Sequence, residues 1–191
     1  MNRQEDSELL IQFVAAFEKL DELWTCQEMD PIAWTLSFGE FSDDKLKRWR
    51  PVRCQIGRSA IDDFYKACPH RLPPLYEELV LGYRWARVDL GRFRLLANPP
   101  GAELNGILSQ MRRDKALWKE LTAKGYVQFG MASDLNYDPV CFDTSRRQPD
   151  GDCRVVQLDH EEILCNSRIR ELGELARSFR LLMIQTIEDA K

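Results

Sequence analysis

The sequence has few of the residues that mark catalytic and metal-binding proteins. It contains only two histidines, and no two of its six cysteines are separated by two residues, as zinc and redox motifs require. No glycine-flanked serine or cysteine marks a nucleophile, and no glycine-rich phosphate loop is present. These absences argue against the familiar hydrolase, zinc and dinucleotide-binding signatures. We therefore predict a protein that is not an enzyme and has no cofactor or metal.

The sequence also lacks an excess of positive charge and a long apolar run. Lys and Arg number 27 against 31 Asp and Glu, a formal net charge of -4, whereas phosphate binding relies on concentrated basic residues. No apolar run approaches the ~20 residues that a membrane-spanning helix needs, and the first residues are not those of a secretory signal. We expect a soluble, cytoplasmic protein with reduced, buried cysteines that binds neither nucleic acid nor membrane.

Helical spacing of apolar residues is present at both ends of the chain. Residues 7–24 are predicted to form an amphipathic helix. Pro73 and Pro74 suit the start of another helix that ends at Gly82, and Asp114 is a candidate N-cap further along. From Ser167 as a cap, apolar residues from Ile169 to Ile187 advance in steps of three and four. This spacing predicts a closing helix of about five turns.

The stretch from Gly125 to Ile163 contains three short β-prone runs separated by polar turns, and residues 88–95 alternate as in a hairpin around Gly91. Strands grouped together and flanked by helices indicate an α+β fold. We predict a twisted antiparallel sheet flanked by helices, formed by residues 59–191. Residues 1–58 are predicted to be an N-terminal helical extension packed on this core, with no confident element between residues 25 and 58.

Several short motifs follow one another from Ser59 to Ile187. They are Ile61-Asp-Asp-Phe64, Arg71-Leu-Pro-Pro-Leu-Tyr-Glu-Glu-Leu79, Tyr126-Val-Gln-Phe-Gly130, Asp138-Pro-Val-Cys-Phe-Asp143, Val155-Val-Gln-Leu-Asp-His-Glu161 and Ala176-Arg-Ser-Phe179. In this order they resemble the SUKH superfamily, which includes fungal cell-wall-synthesis regulators and many bacterial toxin-immunity proteins. The family's usual glycines are absent from Met131 to Tyr137, and residues 1–58 lie outside the match.

The resemblance implies a protein-binding function: immunity to a toxin by direct binding, or a regulatory scaffold. An immunity protein would cover the active site or substrate groove of a toxin domain by means of complementary charge. The acids at the ends of the predicted strands are the candidate partner-binding residues. These are Asp134, Asp138, Asp143, Asp159 and Glu161.

Three other functions are considered for parts of the chain: calcium binding, hydrolysis and RNA binding. The loop Asp134-Leu-Asn-Tyr-Asp138 resembles a calcium loop, but Pro139 and Ser145 stand where an EF-hand needs glycine and glutamate. His160 with its neighbouring acids could act as a general base in a small hydrolase. The hairpin arginines Arg84, Arg87, Arg92 and Arg94 alternate with aromatic residues, as on RNA-binding surfaces. The net acidity of the chain favours an ordinary strand with one wet face.

Overall fold

The computed structural model describes residues 3–26, 28, 30–101, 103–134 and 136–191. The described residues form eight helices, none of which is long and apolar enough to cross a membrane. The helices are α1 (Arg3–Leu20), α2 (Pro31–Thr35), α3 (Ser59–Ala67), α4 (Pro74–Gly82), α5 (Asn105–Met111), α6 (Lys115–Ala123), α7 (His160–Asn166) and α8 (Phe179–Asp189).

Eleven strands are present in the same residues. They are β1 (Trp24–Thr25), β2 (Ser37–Phe38), β3 (Lys47–Trp49), β4 (Val52–Arg53), β5 (Tyr83–Arg84), β6 (Val88–Asp89), β7 (Phe93–Leu95), β8 (Tyr126–Ala132), β9 (Pro139–Asp143), β10 (Arg154–Leu158) and β11 (Glu171–Ala176). The main sheet has six antiparallel strands in the order β11-β10-β9-β8-β7-β6. Helices and a segregated antiparallel sheet confirm the predicted α+β fold.

Side chains from the central strands fill hydrophobic clusters on both faces of this sheet. Val127, Phe142 and Val155 pair across β8, β9 and β10 and belong to the larger core, which also contains residues of α1, α4 and α8. Cys141 and Val156 lie one position along, on the other face, and pack with residues of α6 and α7. The strands are therefore enclosed between two groups of helices, which explains why they are buried on both sides.

Aromatic rings form the centre of the larger core. Phe129 and Phe142 stack with ring centroids 4.0 Å apart, and the rings of Tyr76 and Phe179 meet this pair edge-on. Phe13 of α1 lies 6.1 Å from Phe179 of α8. Because five elements (α1, α4, β8, β9 and α8) contribute these rings, the aromatic cluster joins the N-terminal and C-terminal helices to the sheet.

Several predicted helix starts are correct. Pro74 begins α4, and the Asp114 side chain accepts a hydrogen bond from the Leu117 N–H at the start of α6. The hairpin around Gly91 is present as β6 and β7. Helix α1, however, ends at Leu20, because Leu23 adopts a left-handed conformation (φ 50°) and the chain then enters β1.

The predicted closing helix is present only from Phe179 onward, and its predicted start at Ser167 is wrong. Residues 171–176 form β11, which pairs with β10, and α8 begins only at Phe179. The Ser178 side chain caps α8 by accepting from the Leu181 N–H. The buried Asp152 carboxylate accepts from the N–H groups of Phe179 (2.9 Å) and Arg180 (3.1 Å). These bonds satisfy the free N–H groups of the first turn, so the helix starts where acceptors are available.

Residues 25–58 contain short elements that the sequence did not reveal. Strands β1, β3 and β2 form a three-stranded sheet, and β4 pairs with β5, which ties Val52 to Arg84. Helix α1 packs on α8. The predicted domain boundary at residue 58 stays a prediction.

Candidate functional site

The strand register shows where the five candidate acids lie. Pairing brings the ends of β8 and β10 next to the starts of β9 and β11. Asp134, Asp138, Asp159 and Glu161 follow or precede these termini and therefore lie at one end of the sheet. Asp143 is the last residue of β9 and lies at the opposite end, about 17 Å away along the strand.

Asp138 is a buried carboxylate that binds the start of α7. Its Oδ1 accepts from the backbone N–H of His160 (3.1 Å) and lies 2.9 Å from the Nδ1 of the same residue. Gln157 donates to Oδ2 at 3.3 Å. Burial raises the pKa of Asp138, but the hydrogen bonds from His160 and Gln157 outweigh it, so the pKa lies below the ordinary 3.8. Asp138 thus joins β9 to α7.

Asp143 belongs to a cluster of carboxylates around one guanidinium. Arg154 Nη2 lies 2.8 Å from Asp143 Oδ2 and 2.9 Å from Glu171 Oε1, and Nη1 lies 3.3 Å from Glu174 Oε2. Asp143 is almost fully buried, while Glu171 and Glu174 are exposed. Burial alone raises the pKa of Asp143, and the hydrogen bonds from Ser145 and Arg154 bring it below its usual value.

The same cluster affects a neighbouring phenol. Tyr126 pairs with Asp143 across β8 and β9, and its hydroxyl lies 3.4 Å from Glu171 Oε1. Burial, together with the nearby carboxylates of Asp143 and Glu171, raises the pKa of Tyr126 to about 12. One arginine shared by three carboxylates leaves this part of the sheet with excess negative charge.

Asp159 and Glu161 lie at the start of α7. The Asp159 side chain caps the helix by accepting from the Glu162 N–H at 3.0 Å and faces Arg170 at 3.5 Å. Glu162 forms an ion pair with Arg168 at 2.8 Å. Glu161 is exposed, and no ion pair joins it to another described residue. Acids in the first turn are favourable there because the helix dipole is positive at that end.

These groups form one acidic surface along β10, β11 and the start of α7, which we call the acidic edge. It comprises five accessible carboxylates and the buried Asp143 against three guanidiniums, an excess of three negative charges. Strand β11 is the last strand of the sheet, and its residues 171–174 are all exposed, including Leu172 at 45%. The acidic edge consists of Asp143, Asp159, Glu161, Glu162, Glu171 and Glu174, with Arg154, Arg168 and Arg170.

Asp134 lies apart from the acidic edge, in the loop between β8 and β9. Its backbone carbonyl accepts from Arg94 Nη2 at 2.9 Å, and its side chain accepts from Asn136 at 3.1 Å. The Asp138 side chain bonds to His160 instead, so the two aspartates of the calcium-like loop bind different partners. Leu135 of this loop lies outside the described residues. In the described part of the chain, no three His, Cys, Asp or Glu side chains come together as metal ligands.

Three of the four hairpin arginines, Arg84, Arg92 and Arg94, bind other parts of the protein, and Arg87 is exposed. Trp85 and Phe93 are fully buried, so their rings offer no surface on which a base could stack. Arg84 is buried and donates to the carbonyl of Val80, which belongs to the last turn of α4. Arg92 pairs with Asp189 of α8 at 2.8 Å. The alternation of aromatic and basic residues here reflects one buried and one wet side of the hairpin.

The cysteines differ in exposure. Cys68, Cys141 and Cys153 are buried, and burial raises the pKa of each thiol. Contrary to the prediction, Cys26 and Cys54 are only partly buried, and Cys165 is exposed because it lies on α7 away from the buried Ile163. All six cysteines are free.

A groove of 1140 Å³ lies between α1, α4 and residues 53–58, away from the candidate acids. Leu10, Leu75 and Leu81 line its apolar part. Charges of both signs surround it, and Arg58 is paired with Glu78 at 2.8 Å. The groove therefore has no strong preference for a ligand of one charge.

Sequence reasoning missed the residues that complete the acidic edge. The helical spacing of apolar residues from Ile169 to Ile187 predicts a helix through Glu171 and Glu174. Both residues instead lie on an edge strand beside Arg154. Gly173 inside the supposed helix was the available signal, because glycine costs about 1 kcal/mol in a helix interior. A comparison with models of protein families and a comparison with curated proteins each found no match to the chain.

Proposed function

We propose that this protein is a non-enzymatic binding module that neutralises a toxin by covering its basic active site or substrate groove. The observation that carries the proposal is the exposed strand β11, where Glu171 and Glu174 share Arg154 with the buried Asp143. The SUKH-like order of motifs supplies the class of function, and a regulatory scaffold of the same family is the related alternative.

The arrangement of the acidic edge suits recognition of a basic protein surface. Except for Glu161, its carboxylates are held by Arg154, Arg168 and Arg170, so these side chains have little entropy left to lose on binding. Excess charge of one sign steers an oppositely charged partner and rejects like-charged ones. The free side of β11 and the exposed Leu172 add backbone and apolar contact area.

Growth protection tests the proposal directly. Cells that make a toxin domain encoded beside the gene for this chain should grow when the chain is produced with it. A double variant, Glu171→Lys with Glu174→Lys, should lose protection, whereas Glu18→Lys, on the exposed side of α1, should retain it. Full protection by the double variant would overturn the assignment of the acidic edge.

One contact favours a second function, a hydrolase that uses His160. The Asp138 carboxylate holds the imidazole at 2.9 Å, as an orienting acid does for a general base. Among the described residues no serine or cysteine side chain hydrogen-bonds to this imidazole. A His160→Ala variant that folds and binds the toxin domain but no longer protects would assign the function to this histidine; full protection would exclude it.

A further inference from the structure

The three-stranded sheet β1-β3-β2 has an open face that carries aromatic and arginine side chains. Trp24 and Phe38 both pair with Arg48, one from each neighbouring strand, so these three side chains stand in a row on the same face. Trp24 is 40% exposed and Phe38 is 42% exposed, and Arg48 is exposed as well. Trp49, on the opposite face, is buried in the core. We call the row Trp24, Phe38, Arg48 and the adjacent Arg50 the aromatic–arginine face.

The two guanidinium groups of this face lie over rings rather than against carboxylates. The central carbon of Arg48 is 5.6 Å from the Trp24 ring centroid, and that of Arg50 is 4.8 Å from the Phe38 centroid. Neither forms an ion pair with a described carboxylate, whereas Arg92 and Arg154 do. Ring contact orients each guanidinium and leaves its N–H donors available to an anion.

We propose that the aromatic–arginine face binds an extended acidic segment of a partner protein. Arg48 and Arg50 are two residues apart along one strand direction, about 7 Å, which is also the spacing of alternate side chains on an extended peptide. Two carboxylates at alternate positions can therefore each meet one guanidinium, in the paired geometry that arginine provides. Trp24 and Phe38 offer apolar contact beside them, and tryptophan and arginine dominate the energetic centres of protein interfaces.

The observations favour an acidic peptide over a nucleic acid. A phosphate backbone requires a continuous basic track, whereas the two guanidiniums of Arg48 and Arg50 match two carboxylates of a short segment. Bases also need free ring faces, and guanidinium groups already cover one face of Trp24 and of Phe38. The aromatic–arginine face is opposite in charge to the acidic edge and lies on a different sheet. This inference therefore does not depend on the proposed function.

Binding of a labelled peptide tests the inference. The probe is a short fluorescein-labelled peptide in which glutamate and leucine alternate, titrated with the full chain and followed by fluorescence anisotropy. Replacing both arginines, Arg48→Glu with Arg50→Glu, should weaken binding by roughly tenfold or more, as expected for the centre of an interface. Arg113→Glu, an exposed arginine between α5 and α6, is the matched control and should leave the affinity unchanged.

Further variants separate the contributions of charge and ring. Trp24→Leu and Phe38→Leu should each reduce affinity, because leucine keeps apolar area but does not orient the guanidinium. Circular dichroism establishes that each variant is folded. Equal binding by the double arginine variant would overturn the inference, as would binding of labelled oligothymidine in preference to the peptide. Self-association of the chain that requires Arg48, seen by analytical ultracentrifugation, would identify a second copy as the occupant instead.

Discussion

Two aspartates accept hydrogen bonds from the backbone at the start of α7. Asp159 follows β10 and caps α7, because its side chain accepts from the Glu162 N–H at 3.0 Å. The contact of Asp138 could not be predicted from the sequence, since its partner His160 is 22 residues away. Its burial depends on how β9 and α7 meet. Local patterns specify local bonds, and contacts between elements require the assembled sheet.

Asp138 should make the stability of the protein dependent on pH. Its pKa is lower in the folded chain than the ordinary 3.8, so the unfolded chain binds the proton more tightly. The stabilisation of the folded chain by ionised Asp138 is therefore complete above the pKa that Asp138 has in the unfolded chain. It is lost as pH falls through the lower pKa of Asp138 in the folded chain. Asp138→Asn should cost about 1–2 kcal/mol at neutral pH and should weaken the loss of stability below about pH 4.

Urea unfolding at several pH values measures this effect. Asp134→Asn is the control, because the exposed Asp134 side chain accepts a hydrogen bond from the neighbouring Asn136 and joins no other described element. Identical pH profiles for Asp138→Asn and the unchanged protein would show that the contact with His160 contributes no pH-dependent stability.

At the scale of elements, the prediction of three strands between Gly125 and Ile163 is correct. The β-prone runs in Tyr126–Ala132, Pro139–Asp143 and Arg154–Leu158 are strands, as expected, and every residue of β9 is buried. The prediction failed for β11, because Leu172, Ala176, Phe179 and Met183 have helical spacing although the chain passes from an edge strand into α8. An exposed edge strand needs no regular apolar alternation, so within β11 only Gly173 opposes the helical interpretation.

Gly130 in β8 should be intolerant of a larger side chain. A Cβ atom there would lie 2.9 Å from the Arg94 carbonyl oxygen and 2.9 Å from a ring carbon of Phe93. Both neighbours belong to β7, which pairs with β8, so neither can withdraw without loss of the pairing. We expect Gly130→Ala to reduce the free energy of unfolding by about 1–3 kcal/mol.

Gly82→Ala is the matched control for this substitution. No atom lies within 4 Å of a Cβ built at Gly82, which is the last residue of α4. Alanine is the better helix former by up to about 1 kcal/mol, so this variant should be as stable as the original chain or slightly more stable. Chemical denaturation of the two variants side by side measures the difference, and equal stabilities would contradict the proposed close approach of β7.

At the scale of the whole molecule, charge is distributed unevenly. The acidic edge lies on β10, β11 and α7, and the aromatic–arginine face lies on the small N-terminal sheet. The α+β class followed from the grouping of strand and helix patterns. The N-terminal sheet did not, because its strands have only two or three residues and exist through pairing between segments distant in sequence.

Association with a toxin domain should depend on salt if the acidic edge is the binding surface. Excess charge accelerates encounter at low ionic strength, and raising salt from about 0.05 M to 0.5 M shortens the range of that attraction. Glu171→Lys with Glu174→Lys should lower the association rate constant by roughly tenfold at low salt. Stopped-flow fluorescence measures both effects. Rates that are independent of salt and of the substitutions would place the contact elsewhere.

The packing of α1 on α8 has a consequence for synthesis of the chain. Phe13 contacts Phe179, and Asp6 pairs with Arg180, so the first helix is buried by the last. A ribosome makes α1 early but delivers its principal neighbour only after β11 has been translated. During that interval the apolar face of α1 lacks this cover, and it is exposed to chaperones. Nascent chains stopped before Phe179 should accordingly retain α1 in a form that proteases cleave readily.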